Sequence, residues 1–568
     1  MNKKTKEMKK LLPIVIWAAG CTSEPCQLTM GLRAHEQLVI CVGVFFLVTV
    51  CVTAFFFLPS GGADTYFHSD NAVHARDNHI REELRRQQQE ILIKKAEEAI
   101  PAPIPKPEIG AADDPEGRRT YVKQMIKFAW DGYKQYAWGE NELKPDTKKG
   151  HSSSIFGYGK TGATIIDAVD TLYMVGLKEE YQEAREWIST LDFKTTAKGD
   201  ISVFETNIRF IGGLLSAFAL TEDRMYLTKA EEIATILLPA FDTPTGIPYS
   251  LINVESGRAK SYGWASGKGI LSEYGSIQLE FDYLSNVTGN PIFAQKAQKI
   301  RDVMTAADKP DGLYPFYISL DTGKWGQHIF SIGAMADSWY EYLLKQWIST
   351  GKTDSKTKQE YEEAIFAMEK KMLFKSEQSN LWYFAKLNGN RVEHAFEHLG
   401  CFSGGMVVLH SMNEPNETIA SHYLNLGKEI GHTCHESYVR SATGIGPESF
   451  HFTSTMEAKT DRHPESYYIL RPEVVETWFY LWRATKDEKY RTWAWDHVQN
   501  LEKHCKGKAG YSGIRNVYEE PAEHDDVQQS FLFAELFKYL YLIFSDDNVL
   551  PLDQWVFNTE AHPFRIRH

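Results

Sequence analysis

Past residue 118 the sequence predicts an all-α fold, a closed toroid of paired helices, on three observations. Apolar helix-forming runs recur seven times, most about 60 residues apart, and all but one carry a carboxylate at or near one end. Amphipathic patterns with charged faces lie between them, and a period of this size requires a repeat architecture. The apolar runs also hold Asp167, Asp170, Glu205, Glu280, Asp337, Glu341, Glu473, Glu476 and Glu535, against Arg209, Arg471 and Lys345 as the cations beside them. Burying so many carboxylates unpaired is costly, so a shared polar cavity is the favoured arrangement.

The chain before residue 118 is built differently. Its 568 residues exceed one ordinary domain, and the net charge of −13 argues against a nucleic-acid partner. Residues 1–37 form a basic tail with Lys3, Lys4, Lys6, Lys9, Lys10 and Arg33. Residues 38–58 follow, 21 in a row without a charge, long enough to cross a bilayer as a transmembrane signal-anchor helix. The basic flank places the N-terminus in the cytosol and the rest of the chain in a lumen. Residues 59–117 read as a stem, charge-rich and helical over 76–99, then stiffened by Pro101, Pro103, Pro105 and Pro107. Residues 118–568 form the toroid, expected to be the functional domain.

Two features support a lumenal location. Asn286–Val287–Thr288 and Asn416–Glu417–Thr418 are N-glycosylation acceptors. Beyond the expected membrane span the cysteines are Cys401, Cys434 and Cys505, and an oxidising lumen permits one disulfide. Cys401–Cys434 is the expected pair, because Cys401 opens an inner helix and Cys434 closes the outer helix that follows, leaving Cys505 free.

The run 470–482 shows the helical design. Pro472 suits the first helical position, where its missing N–H costs nothing, and Glu473 and Glu476 fall in the first turn near the positive end of the dipole. The other inner runs are 164–174, 204–215, 273–281, 337–344, 401–409 and 529–536; the run at 401–409 lacks an acid. The amphipathic helices between them span 179–188, 224–238, 291–304, 356–372, 418–431 and 488–505.

No zinc spacing, phosphate loop or dinucleotide fingerprint stands out. His394 and His398 resemble half of a zinc helix, but no Glu directly follows His394 and no third ligand accompanies them, so they read as a packed or hydrogen-bonding pair. Paired carboxylates in an acidic cleft, with Trp264, Trp325, Phe531 and Trp478 as stacking faces, are what sugar cleavage requires. Such a cavity also suits calcium, which takes six to eight oxygen ligands.

Phe204–Glu205–Thr206–Asn207–Ile208–Arg209, Ala336–Asp337–Ser338 with Tyr340–Glu341–Tyr342, and Leu470–Arg471–Pro472–Glu473 resemble the class I α-1,2-mannosidases, glycoside hydrolase family 47. So do His398–Leu399–Gly400–Cys401–Phe402–Ser403–Gly404–Gly405–Met406, Gly444–Ile445–Gly446–Pro447–Glu448 and Phe557–Asn558–Thr559–Glu560–Ala561–His562–Pro563. The resemblance runs from about residue 118 to 564, with the motifs in the family's order. It implies an (α/α)7 barrel plugged by a C-terminal β-hairpin. It also implies inverting cleavage of α-1,2-linked mannose from high-mannose N-glycans, with calcium as cofactor. Glu205, Asp337, Glu448 and Glu473 become the catalytic carboxylates, Glu473 the base and Glu205 the chosen acid, with Asp337 and Glu448 as rivals. Thr559 becomes the direct calcium ligand, the others being waters held by Glu476, Glu535 and Glu560 and the sugar's own hydroxyls. Arg209, Glu273, Arg471, Glu476, Phe531, Glu535 and Glu560 become the substrate-binding set.

One departure bears on specificity. Reticulum-resident members read Gly-Ala-Arg-Ala-Asp before the catalytic aspartate, and this chain reads Gly333–Ala334–Met335–Ala336–Asp337. Golgi members carry an apolar residue there, and 525–531 also looks like the Golgi form. The expectation is a single-pass type II Golgi membrane protein that trims towards the five-mannose form, in contact with lipid only through its one span. The competing readings are a reticulum-type enzyme removing a single mannose and a quality-control lectin on the same barrel.

Overall fold

The structure, a computed structural model, describes residues 114–567. The expected tail, the transmembrane helix and nearly all of the stem lie outside the described residues. Fourteen helices carry the architecture of the described part. They are α1 (Pro115–Ala137), α2 (Ala163–Met174), α3 (Lys178–Thr190), α4 (Val203–Thr221), α5 (Arg224–Leu237), α6 (Gln278–Thr288) and α7 (Ile292–Ala306). The second half continues with α8 (Asp337–Ser349), α9 (Ser355–Met372), α10 (Phe402–Asn413), α11 (Glu417–Val439), α12 (Glu473–Thr485), α13 (Lys489–His504) and α14 (532–543).

The even-numbered helices form the inner ring. Each packs against the next, and α14 packs against α2, so the ring of seven closes. Each odd-numbered helix lies outside, against its inner partner. Sequence patterning placed the partners as inner helix followed by outer helix, seven times. The seventh outer helix is instead α1, the first in the chain, packed on α14, the last. The barrel is therefore closed by its two ends meeting, an arrangement with high loop-closure cost that only the completed core offsets. Interior helix α4 is long and apolar enough to cross a bilayer by composition alone, yet it is mostly buried in the ring.

Other boundaries moved in ways their local chemistry explains. Pro472 is the N-cap of α12 rather than its first residue. The run at 273–281 is interrupted, with Glu273 on a short helix (Leu271–Gly275) and α6 starting afresh at Gln278. Helix α11 continues five residues past Cys434 to Val439, and Cys401 sits in a tight turn before α10. The Cys401–Cys434 disulfide forms as expected, and Cys505 is free and buried.

The strands are short and lie in the connections. Two of them, Trp555–Phe557 and Pro563–Arg565, form an antiparallel hairpin with Val556 opposite Phe564. This hairpin packs on α8 and α4 and enters the ring. A three-stranded sheet (Ala395–Glu397, Ser449–Phe452, Glu457–Lys459) ends where His398 N–H donates to the Glu448 carbonyl at 2.9 Å.

Close helix approach is bought with glycine where α10 meets α11. A Cβ at Gly427 would lie 2.8 Å from the Gly404 carbonyl oxygen, a backbone atom that cannot swing aside. Gly427→Ala gains up to about 1 kcal/mol of helix propensity. Overpacking costs about 1–3 kcal/mol and outweighs that gain. The variant should unfold at lower denaturant than wild type in equilibrium chemical denaturation, and an unchanged midpoint would refute the close packing.

Candidate active site

At the centre of the ring a cavity of about 280 Å³ is lined by Glu205, Arg209, Met335, Asp337, Glu341, Arg471, Glu473, Glu476, Phe531, Glu535, Thr559 and Glu560, among others. Several carboxylates come from the first turns of inner helices: Asp337 opens α8, Glu473 opens α12, and Glu205 lies in the first turn of α4. There the exposed N–H groups and the dipole favour negative charge. Wide π turns at Thr206–Ile211 in α4 and Leu532–Leu536 in α14 flank the cavity, and such turns are frequent at functional sites.

Arg209 is one electrostatic hub. Its Nε donates to Glu205 at 2.8 Å and its Nη1 to Ser530 Oγ at 3.3 Å. The same Nη1 pairs with Glu560 and lies 3.5 Å from Asp167, while the guanidinium sits over the Phe531 ring. Arg471 is the second hub, forked onto Glu448 at 2.5 and 2.6 Å and 3.7 Å from Glu473. Glu448 is thus held behind Arg471 rather than on the cavity wall, and Glu273 likewise stands outside the lining. Burial, and then the charge of Glu205, pushes the Glu273 carboxyl up to about 8.

The cavity acids divide by environment. Burial alone would raise Glu473, but the hydrogen bond and charge of His398, with the charge of Arg471, hold it below the usual carboxylate range. Asp337 goes the other way. Burial and then the charges of Glu341, Glu397 and Glu473 push it up to about 7, although it accepts the Ser338 N–H at 2.8 Å. Glu476 and Glu560 are each pushed up to about 8, primarily by burial. Glu535 rises further, through burial and then the charges of Glu560, Glu473 and Glu476. Buried oxygen donors that repel one another, beside the half-buried Thr559, fit a hard divalent cation such as calcium.

Three non-glycine residues adopt left-handed backbone next to these groups: Met335 (φ 76°), Leu470 (φ 68°) and Ala561 (φ 56°). Each is held locally. The N–H of Ala334, beside Met335, donates to Glu397 at 2.7 Å, and Tyr317 OH reaches the Met335 sulfur at 3.6 Å. Tyr468 OH donates to the Arg471 carbonyl at 3.0 Å. The hairpin turn bearing Thr559 is fixed by Asn558, which donates to Glu280 at 2.7 Å and to the Ile208 carbonyl at 2.9 Å. Lys538 donates to both Asp170 (2.8 Å) and the Ala561 carbonyl (2.7 Å), and His562 Nδ1 bonds Asp170 at 2.8 Å.

Sequence reasoning gathered most of this set but missed three contributors. His398, dismissed as one of a packed pair, binds Glu473 through Nδ1 at 2.7 Å; its supposed partner His394 bonds Tyr383 at 2.8 Å instead. Lys538, hidden in an apolar run, neutralises Asp170. Glu397 anchors the Met335 loop. Of the four aromatics expected to stack on sugar, Phe531 alone lines the cavity. Trp478 is core, edge-on to His435 and near Trp493, because its position on α12 turns it towards the outer helices. Trp325 packs edge-on against Tyr314, and the exposed Trp264 stacks on Tyr262. Asn286 and Asn416 are both exposed.

Comparison with known proteins agrees with this geometry. Residues 125–566 match the model of glycosyl hydrolase family 47. The chain is 52% identical to mannosyl-oligosaccharide alpha-1,2-mannosidase IA of Drosophila melanogaster, over 80% of this chain and 68% of that one. It is 42% identical to mannosyl-oligosaccharide 1,2-alpha-mannosidase IB of Mus musculus, over 94% of this chain and 93% of that one. The solved structure of an alpha-1,2-mannosidase from Trichoderma reesei superposes with a TM-score of 0.73 at 28% identity, covering 80% of this chain and 99% of the other. With a closed helical barrel, a carboxylate-lined centre and these relatives, the chain belongs to glycosyl hydrolase family 47 and is a glycoside hydrolase.

Proposed function

We propose that the protein is a calcium-dependent α-1,2-mannosidase that trims high-mannose N-glycans towards the five-mannose form with inversion, its barrel on the lumenal side of the Golgi membrane. The observation that carries the reading is a pair of carboxylates lining one cavity whose surroundings push them apart, Glu473 held down by His398 and Arg471 and Asp337 pushed up to about 7 by burial. Inverting hydrolysis needs that pair, one group to take a proton from water and one to give a proton to the departing oxygen.

Glu473 is the base, oriented by His398. Asp337 is the better-supported proton donor. Glu205, the donor favoured from sequence, is engaged by Arg209, and Glu448 is engaged by Arg471. Those two acids therefore serve as counter-charges that hold the arginines towards the sugar. Phe531 offers a ring face, while Glu273, outside the cavity lining, takes no direct contact with the sugar. Calcium, when bound, would supply a hard cation to hold sugar hydroxyls, with Thr559 as its direct protein ligand. Glu476, Glu535 and Glu560 would hold its waters, their mutual repulsion relieved.

The lumenal location is supported by the Cys401–Cys434 disulfide and the exposed acceptors Asn286 and Asn416. The anchor at 38–58 rests on sequence, and alignment with the mouse relative extends over 94% of the chain.

The pH profile of turnover tests the acid–base pair. Turnover should fall as pH rises through about 7, where Asp337 loses its proton. On the acid side it should persist until pH drops below the ordinary carboxylate range, where Glu473 gains one. Glu473→Gln should bind glycan but lose about 10²–10⁴-fold in turnover; near-normal turnover would move the base role elsewhere. Calcium titrated into chelator-stripped protein by calorimetry should bind wild type and bind Thr559→Ala more weakly, with hydrolysis lost in chelator. Equal affinities would remove Thr559 from the site. Met335 leaves an apolar wall beside Asp337, whereas an arginine would place a rigid donor fork there. Met335→Arg should slow the later cleavages more than the first in a time course of glycan sizes, so that eight-mannose product accumulates. Matching product ladders would remove Met335 from branch selection.

A further inference from the structure

The His398 ring is fully buried and engaged at both nitrogens. Nδ1 lies 2.7 Å from Glu473 Oε2 and Nε2 lies 2.7 Å from the Tyr438 hydroxyl. An ionised carboxylate only accepts, so Nδ1 carries the hydrogen that Glu473 receives. In a neutral imidazole Nε2 is then a lone pair that needs a donor, and which nitrogen is protonated is set by the bond the other makes. Tyr438 is that donor. Burial, and then the charge of Glu473, pushes its hydroxyl well above the ordinary tyrosine range, so it keeps its proton.

The two residues of this outer bond also sit beside the two halves of the disulfide. His398 and Cys401 are joined by a single turn, the Cys401 N–H donating to the His398 carbonyl at 3.0 Å. Cys434 and Tyr438 are one turn apart on α11. The covalent tie and the hydrogen bond therefore run in parallel between the same two segments, the turn before α10 and the last turns of α11.

Resting on Glu473 as the base, we propose that Tyr438 is a positioning residue for the reaction: its hydroxyl fixes the tautomer and angle of His398, His398 aims Glu473 at the water, and the Cys401–Cys434 disulfide holds α11 at the distance this relay requires. A relay this short tolerates little slack, because misplacing a reacting group by about 1 Å costs on the order of 100-fold. The disulfide thereby acts on turnover as well as on folding.

Other groups act on the same atoms. Around Glu473 stand Arg471, 3.7 Å away, and the carboxyls of Asp337, Glu476 and Glu535. Around His398 stand the Tyr468 ring and His497, the latter held neutral by burial and then by His398. Tyr438→Phe removes the hydroxyl's bonds to His398 and Tyr468 and leaves the ring packed against Trp478 and His497.

Without the hydroxyl, His398 is free to carry its hydrogen on Nε2 and turn a lone pair towards Glu473, which favours the protonated acid. Tyr438→Phe should lower kcat roughly 10- to 100-fold with KM within about twofold, by the same positioning reasoning. It should also move the acid limb of the kcat profile up by about one pH unit, the direction expected when a carboxylate loses a donor. The protein used is the full chain, assayed on a nine-mannose glycan.

A loss of activity with the acid limb unmoved, or carried by KM, would show that Tyr438 merely packs and would overturn the relay; so would an unchanged kcat. Cys401→Ala with Cys434→Ala tests the tie. It should shift the acid limb in the same direction in wild type and have little further effect in Tyr438→Phe. Equal shifts in both backgrounds would disconnect the disulfide from the relay. Should the cysteine variant fail to fold, the Tyr438→Phe profile still decides the central point. If Glu473→Gln is inactive while Tyr438→Phe is normal, the base stands and the relay falls. If Glu473→Gln is active, the base assignment fails and the relay fails with it.

Discussion

More buried acid than nearby base is the constraint on which this molecule turns. Seven inner helices close on themselves, and their N-terminal turns bring Glu205, Asp337, Glu473 and Glu476 to a common centre already holding Glu535 and Glu560. Arg209, Arg471, Lys345 and Lys538 answer part of that charge. Lys345 pairs with Glu341 and stands 4.0 Å from Glu476. A buried ion pair seldom stabilises a fold on balance, whereas a buried charge without its partner is strongly destabilising. The interior is therefore arranged for chemistry, and the apolar packing around it supplies the stability. Burial and mutual repulsion raise the proton affinity of Asp337, Glu476, Glu535 and Glu560, and in the proposed function a divalent cation and a sugar rich in hydroxyls offset the remainder.

Strain follows the same map. Met335, Leu470 and Ala561 hold left-handed backbone within three residues of Asp337, Glu473 and Thr559, at a cost of order 1–3 kcal/mol each. Helix starts alone would not deliver three side chains to one point, since the approach of each preceding loop decides where the first turn faces. Glu397 on the Met335 loop, Tyr468 beneath Arg471, and Lys538 under Ala561 are the bonds that make those conformations the stable ones.

The helical ring was legible because burial writes itself into a helix as unbroken apolar sequence, and an acid inside such a run demands explanation. Glu473 in front of Val474 and Val475 is readable in that way without any structure. Partners across the fold were not. His398 lies 75 residues from Glu473 in the chain, and only the closed ring brings them together. Lys538 was overlooked because a single cation among Phe537, Tyr539 and Leu540 looks like a surface residue until Asp170 is seen opposite. Trp478 failed as a sugar platform for the opposite reason: period alone does not say whether a large ring on a fully buried helix faces the cavity or the outer layer. The seventh pair was missed because a ring has no first element, so reading along the chain as inner helix then outer helix leaves α1 without a partner instead of pairing it with α14.

The central claim is that this ring cleaves α-linked mannose by direct displacement, with Glu473 and Asp337 on either side of the bond. The most direct measurement is the anomeric configuration of the first mannose released from a high-mannose glycan, followed by proton NMR before mutarotation equilibrates it. Inversion predicts that β-mannose appears first and α-mannose only later. Initial release of α-mannose, or no release at all, would contradict the account.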